Sequence, residues 1–218
     1  MSVRKLGWSE TKAAADGAVA RPARTRPIAW LMRSLKVAAV SVGLSAASLG
    51  AYCGVIIYQG NFHAVEAGVL YRSAQPDRGA LVAAAQQHGI KSVLNLRGRN
   101  PGSPWYDEEI AASRELGLAH YDYSISAKRF VTPQQIAEIL DIVRQAPKPL
   151  LIHCKSGSDR AGLVSALYRF ALAGATAEDA DRQLSLSYGH FPYLTSRSGA
   201  MDDSFWAYVR KAPRPPVQ

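Results

Sequence analysis

The feature that most restricts the fold of this 218-residue chain is an uncharged stretch of 22 residues, Val37–Tyr58, with the sequence VAAVSVGLSAASLGAYCGVIIY. A helix needs about 20 apolar residues to cross the roughly 30 Å hydrocarbon core of a bilayer. A buried helix of a soluble domain rarely runs this long without a polar face, and the apolar region of a cleaved signal peptide is usually about 7–15 residues. The length therefore favours one uncleaved transmembrane helix over residues 37–58, with a cleaved signal as the alternative.

Basic residues are concentrated on one side of this segment. Residues 1–36 hold eight lysines and arginines against two acidic residues, whereas residues 59–65 contain neither lysine nor arginine. The positive-inside rule predicts a flexible, basic cytoplasmic arm over residues 1–36. In a Gram-negative bacterium, the domain after the span would lie in the periplasm, attached to the inner membrane. The arm has no interleaved aromatic motif, which argues against nucleic acid as a partner. Ala46, Gly50 and Gly54 are four residues apart, a spacing that permits weak dimerisation through the helix.

Strand and helix patterns alternate along the rest of the chain. Strand patterns occupy residues 68–76, 91–98, 118–125 and 148–154, and helix patterns occupy residues 77–89, 105–117, 132–146, 160–173, 176–188 and 201–211. This alternation predicts one α/β domain over residues 59–212, with a central, mostly parallel sheet of about four to five strands flanked by helices. The fourth strand is apolar on both sides and is expected at the centre of the sheet. Residues 213–218 form a proline-rich tail.

A short polar loop follows that fourth strand and carries distinctive chemistry. The stretch LIHCKSGSDRAG, Leu151–Gly162, passes from the strand through the loop into a helix. Ligands collect at the carboxyl ends of the strands in such sheets, and the free N–H groups and dipole of a helix N-terminus attract an anion. Gly157 permits a tight bend, and Arg160 offers a planar fork to phosphate oxygens. The same field stabilises a thiolate at Cys154, which makes this residue a candidate nucleophile.

The spacing of histidine, cysteine, five residues and arginine resembles the signature loop of cysteine-dependent tyrosine and dual-specificity phosphatases. The upstream segments VLYRSAQP and VLNLRG are also similar to the compact bacterial and plant or fungal members of that family. The resemblance implies attack by Cys154 on a phosphomonoester, a cysteinyl-phosphate intermediate and hydrolysis by water, without a metal or other cofactor. It implies that His153 supports the loop through hydrogen bonds, with a core histidine of no special role as the alternative. It assigns phosphate binding to Lys155, Ser156, Gly157, Ser158, Asp159 and Arg160.

Two departures from the family pattern affect the expected chemistry. Ser126 and Ala127 stand where most relatives supply an acidic residue, which makes Asp159, inside the loop, the expected general acid and Asp122 the alternative. The non-catalytic alternative for Asp159 is a charge that only complements the dipole at the helix N-terminus. Ala161 stands where relatives usually place a serine or threonine, whose hydroxyl assists the second step. This departure is compatible with a slow enzyme and with a phosphate-binding protein that has no activity.

Several alternatives stay open at this point. A sulfurtransferase also places a cysteine in an anion-binding loop, and a buried structural cysteine is the simplest alternative. Cys53 lies in the apolar stretch, so Cys154 has no disulfide partner within the chain. The resemblance implies a phosphorylated protein, a phospholipid or a phosphorylated small molecule such as an inositol phosphate as substrate. It also implies that Tyr71, Arg72 and Arg97 line the edge of the pocket, with a structural role for each of them as the equal alternative.

Overall fold

A computed structural model describes residues 26–193 and 196–212 of the chain. Its strands form one five-stranded sheet in the order β1-β2-β5-β3-β4. The strands are β1 (His63–Glu66), β2 (Leu70–Ser73), β3 (Ser92–Asn95), β4 (Ala119–Asp122) and β5 (Leu150–His153). β1 is antiparallel to β2, and every other pair is parallel. The predicted mostly parallel α/β sheet is therefore confirmed, with β5 at its centre. β1 was not predicted, because the short sequence HAVE has too few apolar residues to stand out as a strand.

The helices are α1 (Arg26–Tyr58), α2 (Arg78–His88), α3 (Pro104–Glu115), α4 (Pro133–Gln145), α5 (Asp159–Ala171), α6 (Ala177–Asp181) and α7 (Gly199–Lys211). Helices pack on both faces of the sheet because successive strand residues point to opposite sides. Leu70, Leu94 and Ile152 belong to the larger core, formed with α4, α5 and α7. Leu151 and Val93 belong to a smaller core, formed with α2 and α3.

Local sequence signals account for where several of these helices begin and end. Asp77 accepts a hydrogen bond from the N–H of Ala80 at the start of α2, and Gly89 ends that helix in the left-handed conformation. Thr132 and Gln135 form a reciprocal capping box at the start of α4, with proline at the first helical position. These caps satisfy N–H groups that have no partner within the helix, so the predicted helix boundaries are close to the observed ones.

The predicted helix over residues 176–188 is wrong in its middle part. The chain forms only the short α6, followed by a separate 3-10 helix at Leu186–Tyr188. Between them, the carbonyl of Gln183 accepts a hydrogen bond of 2.8 Å from Nη1 of Arg72. A carbonyl held by a buried side chain is not free to continue the helical ladder. The interruption brings the segment around Tyr188 against the loop that follows β5.

The first helix is longer than the predicted span. α1 begins at Arg26, and its apolar part, Trp30–Tyr58, has a mean hydropathy of 1.8 in its most apolar window and no buried residue there. The helix extends past Arg33 and Lys36 into the last residues of the predicted arm, because the residues near Trp30 are apolar. By length and composition α1 can cross a membrane, properties that a signal sequence shares. Residues 1–25 of the arm and the tail at residues 213–218 lie outside the described residues.

Candidate active site

The loop after β5 runs from Cys154 to Ser158, and α5 begins at the next residue, Asp159. Cys154 is 1% exposed and packs against the larger core at the carboxyl end of the central strand. All the residues predicted to bind phosphate therefore lie in one loop and the first turn of one helix. This is the edge of a parallel sheet at which ligands generally bind.

Arg72 of β2 holds the loop from beneath. Its side chain is fully buried, and its Nη2 donates hydrogen bonds to the carbonyls of Gly157 at 2.7 Å and Ser158 at 3.0 Å. Its Nη1 donates to the carbonyl of Gln183, and its guanidinium lies 4.1 Å from the centre of the Tyr188 ring. Burial lowers the pKa of Arg72 to about 10, which leaves it charged at neutral pH. Of the two roles expected for Arg72, the structural one agrees with these contacts, because the loop carbonyls take its donors inward.

Two other groups fix the preceding carbonyls of the loop. Nδ2 of Asn61 donates to the carbonyl of Ser156 at 2.9 Å and also to that of Tyr188 at 2.9 Å. The backbone N–H of Gln75 donates to the carbonyl of Lys155 at 3.3 Å. Together with Arg72, these groups engage four successive loop carbonyls, so the peptide planes of the loop are fixed.

The opposite side of those peptide planes carries the N–H groups. Within the described part of the chain, the backbone N–H groups of residues 155–160 donate to no other residue. Gly157 has a φ of +75°, and a Cβ at this position would lie 2.7 Å from the backbone nitrogen of Ala74. Only glycine fits this bend. Unpaired N–H groups that precede a helix N-terminus form a site for an anion.

Arg160 lies between the ends of two neighbouring strands. Its Nη1 contacts the carbonyls of Leu96 at 3.3 Å and Ile125 at 3.4 Å, and its Nε is buried without a partner among the described residues. These long bonds orient the guanidinium while leaving donors available. Ile125 directly precedes Ser126 and Ala127, so Arg160 contacts the loop in which the usual acid is missing.

His153 is connected to a buried carboxylate that sequence reasoning missed. Its Nε2 lies 3.0 Å from Oε1 of Glu109 in α3, and Nε2 of His120 lies 2.6 Å from the same oxygen, while Gln75 donates to Oε2. Burial alone raises the pKa of Glu109, but the hydrogen bonds from His120, His153 and Gln75 outweigh it and lower the pKa to about 2. The prediction gave His153 a supporting role, and the structure joins its ring to α3. Glu109 could not be singled out, because three acidic residues are consecutive in the sequence there.

The two candidate acids have different surroundings. Asp159 lies in the first turn of α5, and its Oδ1 is 2.7 Å from Nδ1 of His190. Asp122 ends β4, where Oδ1 accepts from Nδ2 of Asn95 at 2.9 Å and Oδ2 accepts from the Tyr106 hydroxyl at 2.6 Å. Burial, followed by the bond to Asp122, raises the pKa of Tyr106 to about 12, so this hydroxyl keeps its proton. Both oxygens of Asp122 therefore accept hydrogen bonds from neighbouring elements, whereas Asp159 directly follows the loop as the first residue of α5.

The other residues singled out from the sequence lie outside the loop after β5. Ala161 is fully buried in α5, and its carbonyl accepts a 2.7 Å hydrogen bond from Ser165. Arg97 follows β3, stacks 3.4 Å above the Trp105 ring and donates to Oε1 of Gln75. Tyr71 is buried in the smaller core, which agrees with the structural alternative for this residue and not with a place at the pocket edge.

Comparison with known proteins gives a consistent assignment. A model of the tyrosine phosphatase family matches residues 54–187, which is more than half of the chain. The dual specificity protein phosphatase TpbA of Pseudomonas aeruginosa is 30% identical over 148 residues, which cover 66% of this chain and 59% of TpbA. Two beta-lactamase hydrolase-like proteins of Xylella fastidiosa are 34% identical over 88 residues, 39% of this chain and 20% of theirs. The chain thus spans between a fifth and three fifths of these curated relatives.

Solved structures share the fold. The crystal structure of Pseudomonas aeruginosa TpbA in complex with pTyr matches 71% of this chain and 93% of TpbA, with a TM-score of 0.53 and 21% identity. The core catalytic domain of the PP-IP phosphatase SIW14 from S. cerevisiae, in complex with citrate, matches 69% of this chain and 91% of its own, with a TM-score of 0.52 and 22% identity. Because the family model extends through the loop on the central strand, this chain belongs to the tyrosine phosphatase family, among its cysteine-dependent members.

Proposed function

We propose that this chain hydrolyses phosphomonoesters through a cysteinyl-phosphate intermediate. The observation that carries the proposal is the loop after β5, in which four carbonyls are fixed on one side and the N–H groups of residues 155–160 are unpaired on the other. This arrangement suits three equatorial phosphate oxygens directly beside Cys154. The reaction needs no cofactor, because the protein's own groups supply the nucleophile, the acid and the charge.

In the first step the sulfur of Cys154 attacks phosphorus. An S–P bond forms while the bond to the leaving oxygen breaks, and Asp159 gives its proton to that oxygen. Arg160 and the loop N–H groups neutralise the charge that spreads over the equatorial oxygens. In the second step water attacks phosphorus and gives a proton to Asp159, and the S–P bond breaks with its electrons returning to Cys154.

The absence of a hydroxyl at position 161 bears on the second step. Ala161 offers no donor to the departing sulfur, so we expect hydrolysis of the intermediate to be slower than its formation. A slow second step produces a burst, in which about one equivalent of alcohol is released per protein before the steady state. A phosphate-binding protein without catalysis would give neither burst nor turnover.

The test of this proposal uses the full-length protein in detergent with aryl phosphates and a phosphotyrosine peptide. We expect a burst followed by turnover in the native protein, and loss of both in Cys154→Ser. Cys53→Ser is the matched control, because it makes the same substitution at the cysteine of α1, outside the loop after β5. Turnover that persists in Cys154→Ser would overturn the proposal, as would phosphate binding without any release of alcohol.

The end of α1 favours a second candidate, a phospholipid monophosphate as substrate. The carbonyl of Gly60, two residues beyond α1, accepts a 2.7 Å hydrogen bond from the N–H of Ala74, which follows β2. The side chain of the next residue, Asn61, holds the loop carbonyl of Ser156. α1 therefore ends at the same edge of the sheet as the phosphate loop. If α1 crosses a membrane, the proposed site works close to the lipid headgroups.

A cavity near this junction is consistent with that candidate. It measures about 440 Å³ and is lined by Ile57, Tyr58 and Phe62, by the turn 73–77 and by α2. We expect the full-length protein in vesicles to hydrolyse a phospholipid that ends in a monophosphate faster than the water-soluble, short-chain form of the same headgroup. Equal rates on the two forms, together with faster hydrolysis of phosphotyrosine peptide, would instead favour a phosphoprotein substrate.

We further propose that α1 anchors the domain on the periplasmic side of the inner membrane, with residues 1–36 on the cytoplasmic side. The distribution of basic residues supports this orientation. A reporter fused after Gln218 that is active only in the periplasm tests it, and a signal only from a cytoplasmic reporter would reverse it. The four-residue spacing of Ala46, Gly50 and Gly54 also suits weak pairing of two such helices, which cross-linking in membranes would detect.

A further inference from the structure

A buried histidine that has no part in the steps above joins the phosphate loop to the C-terminal helix. His190 follows the 3-10 helix, and its side chain has no exposed surface. Its Nδ1 lies 2.7 Å from Oδ1 of Asp159, and its Nε2 lies 2.9 Å from Oδ2 of Asp202 in the first turn of α7. A neutral imidazole has a single N–H, so only the doubly protonated ring donates to both carboxylates.

The charges around the ring favour that protonated form. Three aspartates on three different helices interact with it: Asp159 of α5, Asp202 of α7 and Asp181 at the end of α6. Burial alone lowers the pKa of His190, but the hydrogen bonds to Asp159 and Asp202 outweigh it and raise the pKa to about 9. Arg72 is the cation that interacts with Asp159 from β2. The buried cluster therefore holds a proton at neutral pH.

The backbone fixes this histidine directly against the loop. Gly189, immediately before it, has a φ of +76°, and a Cβ there would lie 3.0 Å from Oγ of Ser158. The N–H of His190 donates to the carbonyl of Ser185 at 3.1 Å. The backbone of His190 is therefore fixed by this hydrogen bond, and its ring is fixed by the two carboxylates. Because the side chain is enclosed while that of Asp159 is 25% exposed, His190 can act on a bound phosphate only through Asp159.

We propose that His190 is a positioning residue that orients Asp159 and stores the proton that Asp159 transfers. This inference rests on the proposed phosphatase function, with Asp159 as the general acid. Asp202 completes the arrangement, because it holds the second ring nitrogen and keeps the imidazole in one orientation. The sequence gives no hint of this pairing, since His190 is 31 residues beyond Asp159.

His190 loses one proton and regains one proton in each catalytic turnover. A bound phosphate dianion raises the proton affinity of the neighbouring carboxylate, so the Nδ1 proton of His190 moves across the 2.7 Å bond to Asp159. Asp159 then gives that proton to the leaving oxygen as the P–O bond breaks, and neutral His190 keeps its Nε2–H bonded to Asp202. In the second step water gives a proton to Asp159, which returns it to Nδ1 of His190.

Substitutions separate proton storage from orientation. His190→Gln keeps a donor for Asp159 but has no titratable proton, and Asp202→Asn keeps the contact with Nε2 but removes one of the charges that hold the proton. The readout is kcat/KM between pH 5 and 10 for phenyl phosphate, a poor leaving group, and for a dinitrophenyl phosphate, which needs no acid. Full-length protein in detergent is used throughout.

In the native protein, we expect kcat/KM for phenyl phosphate to fall on the alkaline side of its pH profile, the alkaline limb, at about pH 9. This is the pKa of about 9 that His190 has because its hydrogen bonds to two carboxylates outweigh its burial. His190→Gln should lower kcat/KM for phenyl phosphate, which reports the first step, by about 100-fold, within the range of general acid catalysis, and should move its alkaline limb at least one pH unit lower. The dinitrophenyl ester should lose less than about threefold. Asp202→Asn should move the limb in the same direction with a smaller loss of rate.

Other outcomes separate the two levels of the proposal. Equal losses on both esters with an unmoved alkaline limb, in both variants, would overturn the role of His190 and leave a purely structural one. If His190→Gln fails to fold, the test rests on Asp202→Asn, in which an unmoved alkaline limb of kcat/KM would overturn the role of His190. Retention of activity in Cys154→Ser would contradict the proposed function itself. Asp159→Asn should reproduce the leaving-group dependence of His190→Gln, and normal hydrolysis of phenyl phosphate in that variant would overturn the proton pathway.

Discussion

Replacing Arg72 with methionine should unfold the phosphate loop before it affects the rest of the sheet. Methionine fills much of the same volume but donates no hydrogen bond, so the carbonyls of Gly157, Ser158 and Gln183 lose the partners that lie 2.7–3.0 Å away. Gly157 and Ser158 are buried, so water does not readily replace the donors of their carbonyls, whereas Gln183 is only partly buried. The charge that stacks 4.1 Å from the Tyr188 ring is lost as well.

The expected cost follows from the number of groups left without partners. Each buried acceptor that loses its donor costs about 1–3 kcal/mol, and removing one partner of a buried charged network costs about 3–5 kcal/mol. We therefore expect Arg72→Met to lower the free energy of unfolding by about 4 kcal/mol. For a domain of this size that corresponds to a fall in Tm of about 8–16 °C.

Thermal unfolding of the full-length protein in detergent measures this directly, with and without inorganic phosphate. A ligand at about 100 times its Kd stabilises the folded state by about 2.7 kcal/mol, so phosphate should raise the Tm of the native protein. In Arg72→Met the loop N–H groups no longer converge, and this stabilisation should vanish. Arg144→Met is the matched control, since the Arg144 side chain is 58% exposed and, among the residues that the structure describes, pairs only with Asp141. Exposed pairs of this kind contribute about 0–1 kcal/mol.

The reasoning about the loop would be refuted by a specific pair of results. If Arg72→Met and Arg144→Met unfold within about 2 °C of each other, the hydrogen bonds beneath the loop do not carry the stability assigned to them. If Arg72→Met keeps the full stabilisation by phosphate, the fixed carbonyls are not what orients the N–H groups.

Three further predictions concern single positions. Gly157→Ala should abolish stabilisation by phosphate, because its Cβ would lie 2.7 Å from backbone atoms of the β2 turn; an unchanged phosphate response would contradict this. Ala161→Thr should raise the steady-state rate several-fold and shrink the burst, whereas an unchanged ratio of burst to turnover would show that the missing hydroxyl does not limit the second step. The pKa of Glu109 is lowered to about 2 from 4.5, so its stabilising contribution is complete above pH 4.5 and disappears as the pH falls through 2. Between pH 5 and pH 2, the free energy of unfolding should therefore fall by about 3 kcal/mol more in the native protein than in Glu109→Gln. Equal falls in the two proteins would contradict that.

The chemistry of the phosphate loop was predictable because it is local. Cys154 and Arg160 are six positions apart in one strand-loop-helix unit, and the apolar run before them indicated a central strand. Such a unit forms an anion site almost independently of the rest of the protein, since the helix N-terminus and the end of the strand create the site by themselves. The parallel sheet followed from the alternation of strands and helices for the same reason.

The groups that support the loop were not predictable, because each depends on distant parts of the chain. Arginine is usually a surface residue, and Arg72 becomes buried through contacts with Gln183 and Tyr188, which are more than 100 positions away in the sequence. Those contacts also break the helix predicted over residues 176–188. His190 follows that break, so an unbroken helix would have placed it differently. Glu109 meets its histidines only after α3 packs against the sheet.

The central claim is that the phosphoryl group passes through the sulfur of Cys154. Rapid denaturing quench of the full-length protein during the burst, followed by mass spectrometry of its peptides, tests it most directly. The account predicts one phosphate on Cys154 in the native protein, none in Cys154→Ser, and a larger fraction in Asp159→Asn if that residue also assists the attack of water. Turnover of a phosphomonoester with no phosphate on Cys154 at any quench time would contradict it.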